Sequence, residues 1–279
     1  MRKLIWAVAI ALLASGPSLA DVLSNIKDRG SIRLGIRADA PPFSYLDEET
    51  EPAGLAVKLC HEVTKRLAIE LGLEGLEIEH KIVNAKTRFP ALQEGLTDLH
   101  CGPATATLSR RQFLDFSILY FVDGAGIATR KGAYEKVFDT RKGTLGVVAG
   151  TTTEALVNQL ISDEKLDAEL VTFASHNRGL KALAEEKIDL YFGDRSIVLF
   201  QIGAHGLFDK IVVRNEVLSF EPYALAMRAG ERNMQLAVDR ALSEIYGEGL
   251  IFEIIDQELG TYPLSDAGRA IYEIVGLPN

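Results

Sequence analysis

Residues 146–160, GVVAGTTTEALVNQL, decide how the rest of this chain is read. The apolar run 145–148 stops before Gly150, three threonines follow, and a helical pattern then begins. An apolar, β-branched run closed by glycine reads as a strand entering a tight turn. Threonines with Glu154 in the first turn read as a helix N-cap. Strand, turn and helix N-terminus together form the repeating unit of an α/β protein. Such a terminus presents unpaired N–H groups and the positive end of the helix dipole, so it attracts anions. A nucleotide phosphate fits poorly, because a P-loop places a lysine after its glycine, whereas Gly150 is followed by Thr151, Thr152 and Thr153. A cap with no ligand accounts for the same residues.

The same unit recurs outward from this stretch. GSIRLGI (30–36) reads as a strand, and the prolines of RADAPPFSY (37–45) exclude helix from the loop that follows. Leu55, Leu59, Val63, Leu67 and Leu71 recur every four residues, which predicts a helix with one buried face. LEIEHKIV (76–83) alternates as a strand, TRFPALQEG (87–95) predicts a short helix stopped at Gly95, and LTDLHCG (96–102) is again strand-like. Strands alternating with helices predict an α/β fold with mainly parallel pairing. One phrase occurs twice: L-x-E-x-x-x-D-L runs from Leu92 through Asp98 to Leu99, and from Leu183 through Asp189 to Leu190. It suggests two lobes of similar construction. GAGIATRKG (124–132) and FEPYALAMRAG (220–230) read as extended connectors able to pass between them.

The ends and the composition bound the setting. Arg2 and Lys3, the apolar LIWAVAIALLA and the small residues of SLA form a secretory signal peptide over residues 1–20, shorter than a membrane span. Its removal leaves 259 residues, enough for two domains, and takes the formal net charge from −9 to −11. That balance argues against a nucleic-acid partner. Cys60 and Cys101 are the only cysteines; in an exported chain an even pair suggests a disulfide, and two buried thiols are the alternative. The histidines at 61, 80, 100, 176 and 205 show no metal-ligand spacing, so neither a metal nor another cofactor is expected.

In open α/β sheets, ligands bind beyond the carboxyl ends of the strands. Arg37 follows the first strand, Arg88 opens a helix after HKIV, and Thr105, Thr107 and Arg110 follow the strand ending at Cys101. Thr151 and Thr152 start a helix, His176 follows AELVTF, and Asp194 follows IDLYF. Each has an ordinary explanation as a solvated charge, a cap or a turn residue. Together they offer cationic or potentially cationic groups, one anion and several hydroxyls, which complements a small zwitterion with an extra negative charge.

Taken in order, GIRADAPPFSY, the spaced series R-x-P-x-L-x-x-G-x-x-D-x-x-C-G from Arg88, RRQFLDFS, GTTTEALVNQL and LSD (264–266) resemble the periplasmic amino-acid-binding proteins of ABC importers. The resemblance covers the mature chain and is nearest to the glutamate/aspartate-binding branch. It implies a type II periplasmic-binding-protein fold, with residues 21–123 and 222–279 in one lobe, 124–221 in the other, and two hinge strands between them. By matching position, Arg110 would clamp the ligand α-carboxylate, with Thr105, Thr151 and Thr152 adding donors. Asp194 and the carbonyl of Pro103 would take the α-ammonium, and Arg37, Arg88 and His176 the side-chain carboxylate. Where the branch carries hydroxyl side chains, this chain has Ala85, Pro103 and Val148. The expected partners are a small-molecule amino acid and a membrane ABC permease, and a monomer is expected. The alternatives are an enzyme on the same fold, such as a periplasmic dehydratase using His176 or Glu221, and a sensory ligand-binding module.

The export reading has a direct check. Protein recovered from the periplasmic fraction should begin at Asp21, and its intact mass should lack residues 1–20; a retained Met1 would contradict it.

Overall fold

The computed structural model describes residues 21–260 and 266–278. The expected signal peptide (1–20) lies outside the described residues, as do Leu264 and Ser265 of the LSD segment. Two five-stranded sheets organise the chain. In the first, the strands run in the order Glu77–Val83, Ser31–Arg37, Leu99–Cys101, Glu221–Arg228 and Leu114–Asp123. The second runs Asp167–Phe173, Lys142–Val148, Leu190–Asp194, Ala125–Thr129 and Val212–Val213. Each has three parallel strands followed by antiparallel ones, so the two sheets share one plan.

The repeated phrase has a physical cause. Asp98 sends its N–H to the carbonyl of Arg33 at 2.8 Å, and its carboxylate accepts the Arg33 N–H at 2.8 Å. Asp189 treats Thr144 identically, again at 2.8 Å for both bonds. Arg33 and Thr144 lie on the second strand of each sheet, so each aspartate docks the incoming third strand beside it. The preceding turns match too: Gly95 donates to Leu92 and Glu186 to Leu183, both at positive φ, 67° and 62°. Glycine adopts that conformation freely, and Glu186 holds it despite its Cβ.

The chain crosses from the first sheet to the second between Asp123 and Ala125, and returns between Leu218 and Glu221. The stretch 220–230 is therefore less a free connector than an integral strand of the first sheet, with Glu221 paired to Asp123 at the crossing. The helix Leu55–Glu70 places Leu55, Leu59, Val63 and Leu67 fully inside against the first sheet, while Leu71 caps its end and is only partly buried. The helix Val22–Arg29, capped by Asp21 and Gly30, was not apparent from periodicity. Among the described residues no helix is long and apolar enough to cross a membrane.

Cys60 on that helix and Cys101 at the end of its strand form a disulfide with Cα atoms 6.0 Å apart, closing a separation of 41 residues. Limiting the unfolded chain by a loop of that length stabilises the fold by about 4 kcal/mol in the chain-entropy account. Urea unfolding of the oxidised protein and of the Cys60→Ala, Cys101→Ala double variant should differ by about that amount; a difference below about 1 kcal/mol would show that the crosslink does not constrain the unfolded chain.

Candidate ligand-binding cleft

The carboxyl ends of the two sheets face each other, and most of the residues singled out above meet there; Arg110 stands behind Thr105 and Thr107 pairs with Ser109, both outside the cavity lining. Arg37, Arg88, Pro103 and Thr105 from the first lobe line one cavity with Val148, Thr151, Thr152, Thr153, His176, Gly193 and Asp194 from the second. Its volume is about 20 Å³, room for a single water and less than an amino acid fills. The lobes are in contact around it. A Cβ on Gly150 would stand 3.1 Å from the Ala85 carbonyl, and Gln201 Nε2 donates to the Asp39 carbonyl at 3.4 Å. A ligand of amino-acid size therefore enters only if the lobes part.

Three guanidinium groups are buried in this region. Arg37 is 1 % exposed, Arg88 3 % and Arg110 8 %. Arg37 Nε donates to Asp39 Oδ1 at 2.7 Å. Arg88 Nη1 donates to the Pro103 carbonyl, which in this structure is engaged by an arginine rather than free for an ammonium. Arg110 Nη1 donates to the Thr105 carbonyl at 3.0 Å. The Phe89 ring supports two of the cations, with Arg88 Cζ 4.5 Å and Arg110 Cζ 5.0 Å from its centroid. Burial, then the neighbouring Arg110 and Arg37, pull Arg88 well below its ordinary value. Arg37 Nη2 and Arg88 Nε are buried with no hydrogen-bond partner. The cluster is thus short of an anion.

The threonines of the opening stretch divide their work. Thr151 Oγ1 accepts the Glu154 N–H at 3.1 Å and donates to the Val148 carbonyl at 2.8 Å, so its hydroxyl serves as the cap. Thr152 Oγ1 donates to Glu221 Oε2 at 2.8 Å, and Thr153 Oγ1 to Asp194 Oδ1 at 3.1 Å. Thr105 Oγ1, from the other lobe, donates to the same Glu221 Oε2 at 2.5 Å, and Ser219 Oγ to Oε1 at 2.6 Å. Glu221 thereby ties the lobes together. Asp194 makes a second tie by accepting the Tyr223 hydroxyl. Burial first, then the nearby Glu221, raises the Asp194 carboxyl above its ordinary value; Asp123 behind it is pushed up to about 7 by burial and by Asp194.

His176 departs from the expectation of a potential cation. Its ring is 4 % exposed and Nδ1 shares a hydrogen bond with the Tyr191 hydroxyl at 2.9 Å. Burial, reinforced by Arg37, lowers its pKa to about 4, so the ring is neutral at neutral pH and can offer a ligand only a hydrogen bond. Sequence reasoning missed Asp39, Phe89, Thr153, Tyr223 and the pairing of Glu221 with the threonines. Asp39 lies two residues beyond Arg37 in RADAPP, the one local hint among these.

Residues 32–261 match the family described as bacterial extracellular solute-binding proteins, family 3, and the chain belongs to it. It is 30% identical over 272 residues to the L-glutamate/L-aspartate-binding protein of Pseudomonas aeruginosa, covering 95% of this chain and 90% of that protein. It is 24% identical over 258 residues to the glutamate/aspartate import solute-binding protein of Escherichia coli, covering 89% and 85%. Among solved structures, an ancestral arginine-binding protein bound to arginine superposes with a TM-score of 0.74 at 26% identity, covering 83% of this chain and 99% of the other. The cysteine-binding protein of Campylobacter jejuni does so with a TM-score of 0.75 at 22% identity, covering 88% and 96%, which supports the fold alone.

The neutral His176 has a measurable consequence. Its folded pKa of about 4 lies below the ordinary histidine value of 6.5, so between these pH values the unfolded chain binds the extra proton. The stability associated with the neutral ring is full above pH 6.5 and is lost as pH falls toward 4, by up to about 3 kcal/mol. Urea titrations at pH 7 and pH 4.5 should show a smaller acid loss in His176→Gln than in the unsubstituted protein; equal losses would mean that the ring is not held neutral.

Proposed function

We propose that this protein captures an acidic amino acid, glutamate or aspartate, in the periplasm and delivers it to a membrane ABC permease. The observation that carries the reading is the set of buried guanidinium groups at one interlobe cleft, Arg37 and Arg88 lining it and Arg110 behind Thr105, with two of their nitrogens lacking partners. A ligand with two carboxylates supplies the missing anions, and an ammonium balances Asp194. In this reading Arg110, Thr105 and the helix start at Thr151 and Thr152 hold the α-carboxylate, Asp194 takes the ammonium, joined by the Pro103 carbonyl once Arg88 turns from it to the ligand, and Arg37, Arg88 and His176 receive the side chain. The names of the relatives, as binding proteins for glutamate and aspartate, support it. The alternative enzyme nominated His176 and Glu221. The three hydroxyls on Glu221 and the Tyr191 bond to His176 give both residues structural partners, which favours binding over catalysis.

The test compares the two ends of the ligand. Arg88→Met leaves a desolvated side-chain carboxylate without its cation, a loss of about 3–5 kcal/mol, or two to three orders of magnitude in affinity for glutamate or aspartate. Glutamine binding should fall much less. Arg110→Met should weaken acidic and neutral ligands alike, because both carry the α-carboxylate. Calorimetric titration of ligand-stripped protein decides it: equal losses for glutamate and glutamine in Arg88→Met would remove Arg88 from the side-chain subsite.

A further inference from the structure

The distal end of the cleft is less positive than its two arginines suggest. Arg37, with a side chain 2 % exposed, is already in a 2.7 Å ion pair with Asp39, whose side chain is 18 % exposed. Burial alone would raise the Asp39 carboxyl, but the charge and hydrogen bond of Arg37, with a smaller effect from Arg88, draw it below its ordinary value, so it stays ionised at neutral pH. His176 adds no charge, as shown above. Two guanidinium groups, one carboxylate and a neutral imidazole leave one net positive charge.

The hydrogen-bonding inventory points the same way. Arg37 Nη2 and Arg88 Nε, on residues that line the cavity, and Asp39 Oδ2, on the residue ion-paired to Arg37 just outside that lining, are all buried and without partners. The first two are donors and the third is an acceptor. A ligand carboxylate can satisfy the donors but offers nothing to Asp39 Oδ2, and its charge is repelled by it. A carboxamide can accept from an arginine through its oxygen and donate to Asp39 through its nitrogen. We propose that Asp39 is a specificity-determining residue, which restrains the preference of the distal subsite for an acid and lets the corresponding amide compete. This inference rests on the proposed amino-acid-binding function and refines its side-chain class.

Selectivity is a difference of two affinities, so the readout is a ratio. Ligand-stripped protein is titrated calorimetrically with glutamate, glutamine, aspartate and asparagine. In the unsubstituted protein the preferred acid and its amide should bind within about tenfold of each other. Asp39→Asn keeps an oxygen for Arg37 Nε while removing the charge, and should raise the acid-to-amide ratio by at least about tenfold, because a like-charge contact across a buried interface costs a kcal/mol or more. Asp39→Ser provides a second neutral variant with the same expected direction. Asp39→Glu retains the charge and should leave the ratio within about threefold of the original, well under a tenfold step of 1.4 kcal/mol. General loosening of the cleft weakens acid and amide together and does not move the ratio. An unchanged or lower ratio in both neutral variants, or an unsubstituted protein preferring the acid by a thousandfold, overturns the assignment while leaving the amino-acid-binding reading intact. Failure of the unsubstituted protein to bind any of the four ligands overturns that reading and this inference together.

Discussion

Burial of positive charge at the meeting of two sheets is the constraint on which the rest of this structure depends. A guanidinium removed from water needs hydrogen-bond partners and counter-charge, and it destabilises the fold where these are missing. Arg37, Arg88 and Arg110 receive only part of both: one carboxylate at Asp39, carbonyls at Pro103 and Thr105, and the face of Phe89. Arg88 shows the shortfall most clearly, with its pKa pulled down by burial and then by the two other arginines. Such a shortfall is tolerated in a scaffold whose remaining core is well filled, and the large apolar cluster of the first lobe meets that condition.

The scaffold places these charges through one device used twice. Asp98 and Asp189 each grip the second strand of a sheet through a carboxylate and a backbone N–H, and so fix where the third strand begins. Once register is fixed, the strand ends are fixed as well, because strands rise in constant steps. Pro103 and Thr105 follow one gripped strand and Asp194 ends the other, so equivalent grips deliver chemically different residues to opposite walls of the cleft. Among the described residues the chain crosses between the sheets near Asp123 and Glu221, and both carboxylates lie close to the cleft.

Much of this was legible from residue order alone, for identifiable reasons. The alternation of strands and helices, the helix built on Leu55, Leu59, Val63 and Leu67, and the helix start at Thr151 are local periodicities and caps. The repeated L-x-E-x-x-x-D-L phrase was legible because a turn at positive φ and a docking aspartate impose local residue choices. The strand Glu221–Arg228 was harder, since the crossing that precedes it and its antiparallel insertion between distant strands are non-local facts. Within the cleft, Arg37 and Asp194 stand at strand ends and Arg88 and Arg110 open the short helical segments that follow strands, so they declare themselves by position. Their partners do not. Thr152 finds Glu221 across 69 residues, and Tyr223 finds Asp194 across 29, so only tertiary structure reveals that those groups are already engaged. The charge state of His176 was illegible for the same reason, because burial sets it.

Those engagements change how recognition in the cleft is to be understood. With the lobes in contact, Thr105 and Thr152 both donate to one oxygen of Glu221, and Asp194 accepts from Thr153 and Tyr223. Under the proposed function, these are the groups that would face the two charged ends of an amino acid. A ligand carboxylate that takes a hydroxyl from Glu221 gains one hydrogen bond while the protein loses another, and the net contribution is the difference between them. The unpartnered nitrogens of Arg37 and Arg88 carry no such offset, because a ligand satisfies them without displacing any protein group. Under the proposed function affinity therefore concentrates at the distal end of the cleft, where partners are missing, whereas the hydroxyl and carboxylate ties at the crossings join the two lobes. In that reading the two halves of the site do different physical work, one offering unpaired donors to the ligand and the other joining the lobes.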